Sequence, residues 1–136
     1  MHTMVRTFKL TSNIHPSGQL VVLESGSEVS LNIQRVFVVK GKQGAVRGKH
    51  AHRRLTQILV CLHGICKITF LDGQNKGEIT LDQPDVALEI PPGIWAEQHY
   101  VEPDTILMVL CDQPYDESDY IRDFAEFIEF RKEKQA

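Results

Sequence analysis

The chain, 136 residues long, predicts an antiparallel all-β domain, a sandwich or barrel, with a single helix at its C-terminus. Three observations carry the prediction. Short runs rich in β-branched residues follow one another from residue 5 to residue 112, and many of them alternate. Gly, Pro and Asp punctuate the gaps between them. Helical spacing of apolar residues occurs only in the tail. The length suits one domain, 1–136, which can bury roughly two thirds of its unfolded surface without disulfides or metal.

Taken in order, the strand signals are VRTFKL at 5–10, GQLVVLES at 18–25, QRVFVVK at 34–40, TQILVCLHG at 56–64, CKITFLDG at 66–73, EITLD at 78–82, VALEIP at 86–91, EQHYV at 97–101 and TILMVLCD at 105–112. Pro16-Ser17-Gly18, Gly41 to Gly44, Asp72-Gly73, Pro91-Pro92-Gly93 and Glu102-Pro103-Asp104 mark turns. His63-Gly64 reads as a hairpin turn that sets Cys61 opposite Cys66. In SDYIRDFAEFIEFRKEKQA, Ser118 is placed to cap a helix, Tyr120, Phe124, Phe127 and Ile128 share its apolar face, and the last residues are expected to fray.

The formal net charge of -3 gives no overall field to attract nucleic acid, so an anionic ligand needs a local cluster of cations. No stretch approaches the roughly 20 apolar residues of a membrane span. MHTMVRTFKL has no apolar signal core, so a soluble cytoplasmic protein is expected. Three cysteines, all in apolar runs, are read as reduced and buried.

The chemistry concentrates in RGKHAHRR at 47–54. Side chains two apart on a strand share a face, so His50 and His52 point the same way, with Gly48 beside them and Lys49 opposite. Five residues separate Gly44 from His50, four separate His52 from Gln57, and six separate Gln57 from Gly64. This frame resembles the first cupin motif with glutamine in the glutamate position. PPGIWA at 91–96 resembles the second, with Ala96 in the position of its histidine. An amide and a methyl group thus stand where two metal ligands are usual, which argues against a bound metal. Histidines free of metal suit proton transfer near neutral pH, and the neighbouring cations favour their neutral form.

Three stretches carry a closer likeness: 47–73, PPGIWAEQH at 91–99, and DQPYDESDYIRDFAEF at 112–127. By these the chain resembles the cupin-type dTDP-sugar 3,4-ketoisomerases. The resemblance implies a cupin jelly roll, a homodimer, a dTDP-linked keto-deoxyhexose substrate, deoxysugar biosynthesis and no cofactor. It implies that His50 and His52 are the catalytic pair moving a proton between sugar carbons 3 and 4, that Arg47 matches the arginine preceding them, and that Trp95 matches a loop tryptophan. Relatives often carry tyrosines where this chain has Phe37 and Val38. Gln57 or a protonated second histidine is the donor candidate for the enediolate. Trp95 either covers the barrel mouth or lines the sugar pocket. Glu97 and His99 alternate on the next strand on its face, with His99 a candidate third pocket histidine. Arg35 is expected to pair with an acid or reach a phosphate. Two other functions stay open: a dTDP-sugar epimerase, and a non-catalytic sugar-nucleotide-binding cupin or partner subunit. DESDYIRDF favours the isomerase over the first.

Overall fold

The computed structural model describes residues 5–135, with side chains to residue 134. These residues form twelve strands and one α-helix in the order β1 (Arg6–Lys9), β2 (Thr11–His15), β3 (Gly18–Val22), β4 (Arg35–Gly41), β5 (Val46–His52), β6 (Gln57–His63), β7 (Cys66–Leu71), β8 (Lys76–Leu81), β9 (Val86–Ile90), β10 (Trp95–Tyr100), β11 (Thr105–Cys111), β12 (Tyr120–Ile121) and α1 (Phe124–Gln135). The strands form two five-stranded sheets, β1-β9-β6-β11-β4 and β12-β5-β10-β7-β8, with β2-β3 as a small separate hairpin. Successive strands from β4 to β7 alternate between the two large sheets, and these strands pair with their neighbours antiparallel. This is a jelly roll, the all-β class expected.

Two hydrophobic layers explain the strand sequences. Between the sheets, Leu59, Cys61, Ile68, Leu88, Tyr100, Leu107 and Val109 form the main core. Behind the first sheet, Ile58, Val60, Ala87 and Leu110 pack under Leu10, Val29 and Val21 from the N-terminal segment. β6 is therefore covered on both faces, and its apolar run ILVCL lacks alternation for that reason. The second sheet has one open face and alternates, as in the buried-exposed pattern of β7.

Three local expectations change. β6 and β7 do not form a hairpin: they lie in different sheets, and the chain crosses between them at Gly64, whose φ is 82°. A Cβ there would clash with Thr105 Oγ1. Cys61 and Cys66 nevertheless lie inside the barrel as free thiols, and burial pushes Cys66 up to about 12. β2 carries no strand signal of its own, because TSNIH holds one apolar residue, and its order comes from pairing with β3. The helix begins at Phe124, not near Ser118; residues Glu117–Asp119 form a 3-10 turn capped by Asp116, and Tyr120 belongs to β12, which extends the edge of β5. The helix runs to Gln135.

β1 pairs with β9 of its own chain and occupies a sheet edge. α1 lies over one end of the second sheet. Phe127, fully buried, packs with Ala51, Trp95 and Ile121, and Arg131 Nη1 donates to the Gly93 carbonyl at 3.0 Å.

Candidate active site

His50 and His52 come together on β5. His50 pairs with Ala96, a residue of the inner core, so the inner face of the sheet carries the histidine pair. The ring centroids are 4.9 Å apart and nearly perpendicular. Tyr120, brought beside His52 by the β12 pairing, packs 4.4 Å from the His52 ring and 5.1 Å from that of His50. The Arg122 guanidinium lies 4.0 Å above the Tyr120 ring.

Each imidazole is tied at Nδ1. His52 Nδ1 lies 3.1 Å from Asp119 Oδ2, and both residues are buried. Asp119 also accepts from the backbone N–H groups of Arg54, at 2.7 Å, and Leu55, at 3.3 Å. A buried carboxylate with three donors is well compensated for its lost hydration. Because a carboxylate can only accept here, the proton of neutral His52 sits on Nδ1. His52 Nε2, buried and without a hydrogen-bond partner among the described residues, is left with a bare lone pair. His50 Nδ1 donates to the Gly48 carbonyl at 3.0 Å. Burial is the main force lowering both histidines below the usual imidazole value; for His52, pushed down to about 4, the neighbouring His50 adds to burial and Asp119 opposes it. Both are neutral at physiological pH.

The remaining expected site residues divide. Gln57 is buried at the start of β6, on the face of Leu59 and Cys61, and so lies in the barrel interior. Its carboxamide makes a long contact, 4.0 Å, to Cys111 Sγ. Arg47 lies opposite the inward Gln98 and close enough to Tyr100 to oppose the effect of burial on its hydroxyl. Trp95, Glu97 and His99 are not brought to the pair. They lie on the outer face of β10, since the intervening Ala96, Gln98 and Tyr100 point into the barrel. Trp95 is buried beneath α1, edge-on to Phe124, and its indole N–H donates to Glu97 at 3.0 Å. A groove of about 760 Å³ lies on this outer face between Glu78, Glu97 and Phe124, away from the histidines.

Val38 also faces outward and is 56% exposed, whereas Phe37 packs against the inner core. The lost hydroxyl of position 37 alone concerns the barrel interior. Arg35 has no carboxylate at ion-pair distance among the described residues; its guanidinium stacks on Phe37 and Tyr115, 4.7 and 5.2 Å from the ring centroids. With Arg54, Tyr115 and Tyr120 it lines a cleft opening beside His52. Among the other histidines, His63 is exposed and its Nδ1 donates to the Asp104 carbonyl, His15 is exposed at the end of β2, and His2 lies outside the described residues.

Sequence reasoning missed Asp119 and Tyr120. The signal was present in YDESDYIRDF, which no barrel packing requires, but reading the segment as helix absorbed Tyr120 into a packing face.

A jelly roll with a half-buried His50 beside a buried His52 backed by a carboxylate, at an arginine- and tyrosine-lined cleft, defines a cupin acid–base site. The chain belongs to the FdtA family (WxcM-like, C-terminal), whose model matches residues 3–132. It is 42% identical over 115 residues to the TDP-4-oxo-6-deoxy-α-D-glucose-3,4-oxoisomerase of Aneurinibacillus thermoaerophilus, covering 84% of this chain and 83% of that protein. It is 31% identical to the sugar 3,4-ketoisomerase QdtA of Thermoanaerobacterium thermosaccharolyticum, solved with TDP, with a TM-score of 0.94 and 98% of each chain covered. A form of that enzyme with one histidine changed to asparagine is solved with TDP-4-keto-6-deoxyglucose. A 3'-monoepimerase from Streptomyces bikiniensis shares the fold, with a TM-score of 0.77, 88% of this chain and 71% of that chain covered, and 16% identity.

Proposed function

We propose that this protein is a dTDP-4-keto-6-deoxyglucose 3,4-ketoisomerase in which His52 is the carbon base. The observation that carries the reading is the bare, buried Nε2 of His52 backed by Asp119. The 42% identity to a TDP-4-oxo-6-deoxyglucose 3,4-oxoisomerase over most of both chains supports the substrate.

The reaction moves two protons and no net electrons. The 4-keto group acidifies the hydrogen on carbon 3. His52 Nε2 takes that proton as the C3–C4 double bond forms, and the resulting imidazolium is held by the Asp119 carboxylate. The His52 imidazolium then protonates carbon 4. The proton of the carbon 3 hydroxyl passes to the carbon 4 oxygen through His50, whose Nε2 is also the free nitrogen. Oxygen 3 ends as the ketone and oxygen 4 as the hydroxyl. The Gln57 carboxamide is the interior donor for the charge that builds on the enediolate. Burial keeps both imidazoles neutral and so ready to accept a proton. Arg35 and Arg47, neither at ion-pair distance from a carboxylate among the described residues, are the cations available to the diphosphate, whereas Arg54 is already paired with Asp116 at 3.2 Å.

The protein acts as a cytoplasmic homodimer. Val36 and Val38, both more than half exposed on the edge strand β4, and Ile14 on the β2-β3 hairpin form apolar surface suited to a second copy. Light scattering should give twice the 15.5 kDa chain mass.

The test is single-turnover kinetics with dTDP-4-keto-6-deoxyglucose, following hydrogen exchange at carbon 3. Isomerisation by the parent protein and its loss in His52→Asn, with TDP still bound, is the expected result. A parent protein that exchanges carbon 3 but yields only epimer, or binds TDP without exchange, refutes the assignment.

A further inference from the structure

β5 is interrupted just before the histidines. Its pairing with β10 runs Ala96 with His50 and then Glu97 with Gly48, so Lys49 is an extra residue with no partner opposite. Gly48 and Lys49 both have positive φ, 85° and 56°. The first suits glycine, and a Cβ on Gly48 would meet Gln98 Oε1 at 2.9 Å and the Ala96 carbonyl at 3.0 Å. The second is unfavourable for lysine and marks a position where the surroundings over-determine the backbone. Bulges recur beside active sites because they re-aim side chains.

Here the bulge has two visible consequences. A regular strand would put Arg47 on the face opposite His50, since they are three residues apart. The extra residue brings Arg47 opposite Gln98, on the inner face with the histidines. The bulge also turns the Gly48 carbonyl back along the strand, where His50 Nδ1 donates to it at 3.0 Å. We infer that the Gly48–Lys49 bulge is a positioning device for the active site: it fixes His50 in the Nδ1–H form, leaving Nε2 bare, and turns Arg47 inward. Lys49 acts through the backbone, and its amine has no part. The inference rests on the isomerase reading for its purpose, but the ring form of His50 and the direction of Arg47 are measurable without any turnover.

Two substitutions separate backbone from side chain. Lys49→Gly and Lys49→Val both remove the amine; glycine tolerates positive φ and valine does not. Long-range ¹H–¹⁵N spectra of histidine-labelled protein, assigned with His50→Asn, are expected to show the His50 proton on Nδ1 in the parent and in Lys49→Gly, and moved to Nε2 in Lys49→Val. TDP affinity should hold in Lys49→Gly and fall about tenfold in Lys49→Val, as for loss of one charge-assisted hydrogen bond. Arg47→Ala should weaken TDP binding in the Lys49→Gly background and add nothing in the Lys49→Val background. kcat should fall about 10- to 100-fold in Lys49→Val alone. A parent His50 protonated on Nε2 overturns the inference whatever the variants do, as does equal loss in both variants, which would assign the effect to the amine. Should His50→Asn and His52→Asn both isomerise at the parent rate, the histidine proton-transfer reading fails while the tautomer result stands.

Discussion

The two faces of β10 and its neighbours carry similar residue types in opposite conditions. On the inner face, His50 and His52 are desolvated, tied at Nδ1 and lowered in basicity by burial. On the outer face, His99 stands between Val46 and Lys67 on neighbouring strands, and Glu97 is engaged by the Trp95 indole. One alternation of the chain separates the candidate proton-transfer site from a half-covered packing surface. Residue type therefore says little about function until the face is known.

The largest effect expected from breaking this contrast is on the inner face. His52→Asn should lower the single-turnover rate by about 10²–10⁴-fold with TDP affinity retained, the usual worth of a general base. Asp119→Asn should cost somewhat less, about 10- to 10³-fold, because the imidazole remains but its proton is no longer held on Nδ1 by a carboxylate. An Asp119→Asn protein as active as the parent would remove the basis for choosing His52.

The pH dependence sharpens the contrast further. His52 in the fold lies near 4 against 6.5 when exposed, so between those values the unfolded chain binds more protons than the folded one. The contribution of this group to stability is thus present above about pH 6.5 and is lost as pH falls towards 4. Urea melts of the parent and of His52→Asn across that range should converge at low pH. The rate of the parent should likewise hold through pH 6. An activity limb at the ordinary histidine value would contradict the burial argument.

On the outer face the expected effects are structural. Trp95→Ala removes a buried ring from between Phe124 and Phe127 and should destabilise by about 3–5 kcal/mol in denaturant melts, while kcat at a permissive temperature stays within a fewfold of the parent. The smallest effects belong to His99→Ala and Lys49→Ala, neither of which should move the chemical step by more than about twofold, in line with ordinary surface substitutions. A large loss of rate in His99→Ala, with the fold intact, would bring the outer face back into the site.

The amino-acid sequence by itself determined the fold class and the place of the candidate site. Short β-rich runs separated by turn residues specify an all-β fold, because period-two patterning and turn chemistry are local. The His-x-His spacing is enough to put both histidines on one face, and Gln57 and Ala96, the two departures from the cupin frame, both face the interior. What tertiary structure decided was relative. Whether His63-Gly64 turns within a sheet or crosses between sheets depends on partners far away along the chain. Which face of β10 points inward is equally invisible to alternation alone, since both faces carry mixed residues, so Trp95, Glu97 and His99 could not be told from pocket residues. The bulge at Lys49 breaks the parity on which face assignment relies, and only pairing with β10 reveals it. Asp119 reaches His52 across 67 positions because β12 adds to the edge of β5, a contact that no local pattern encodes.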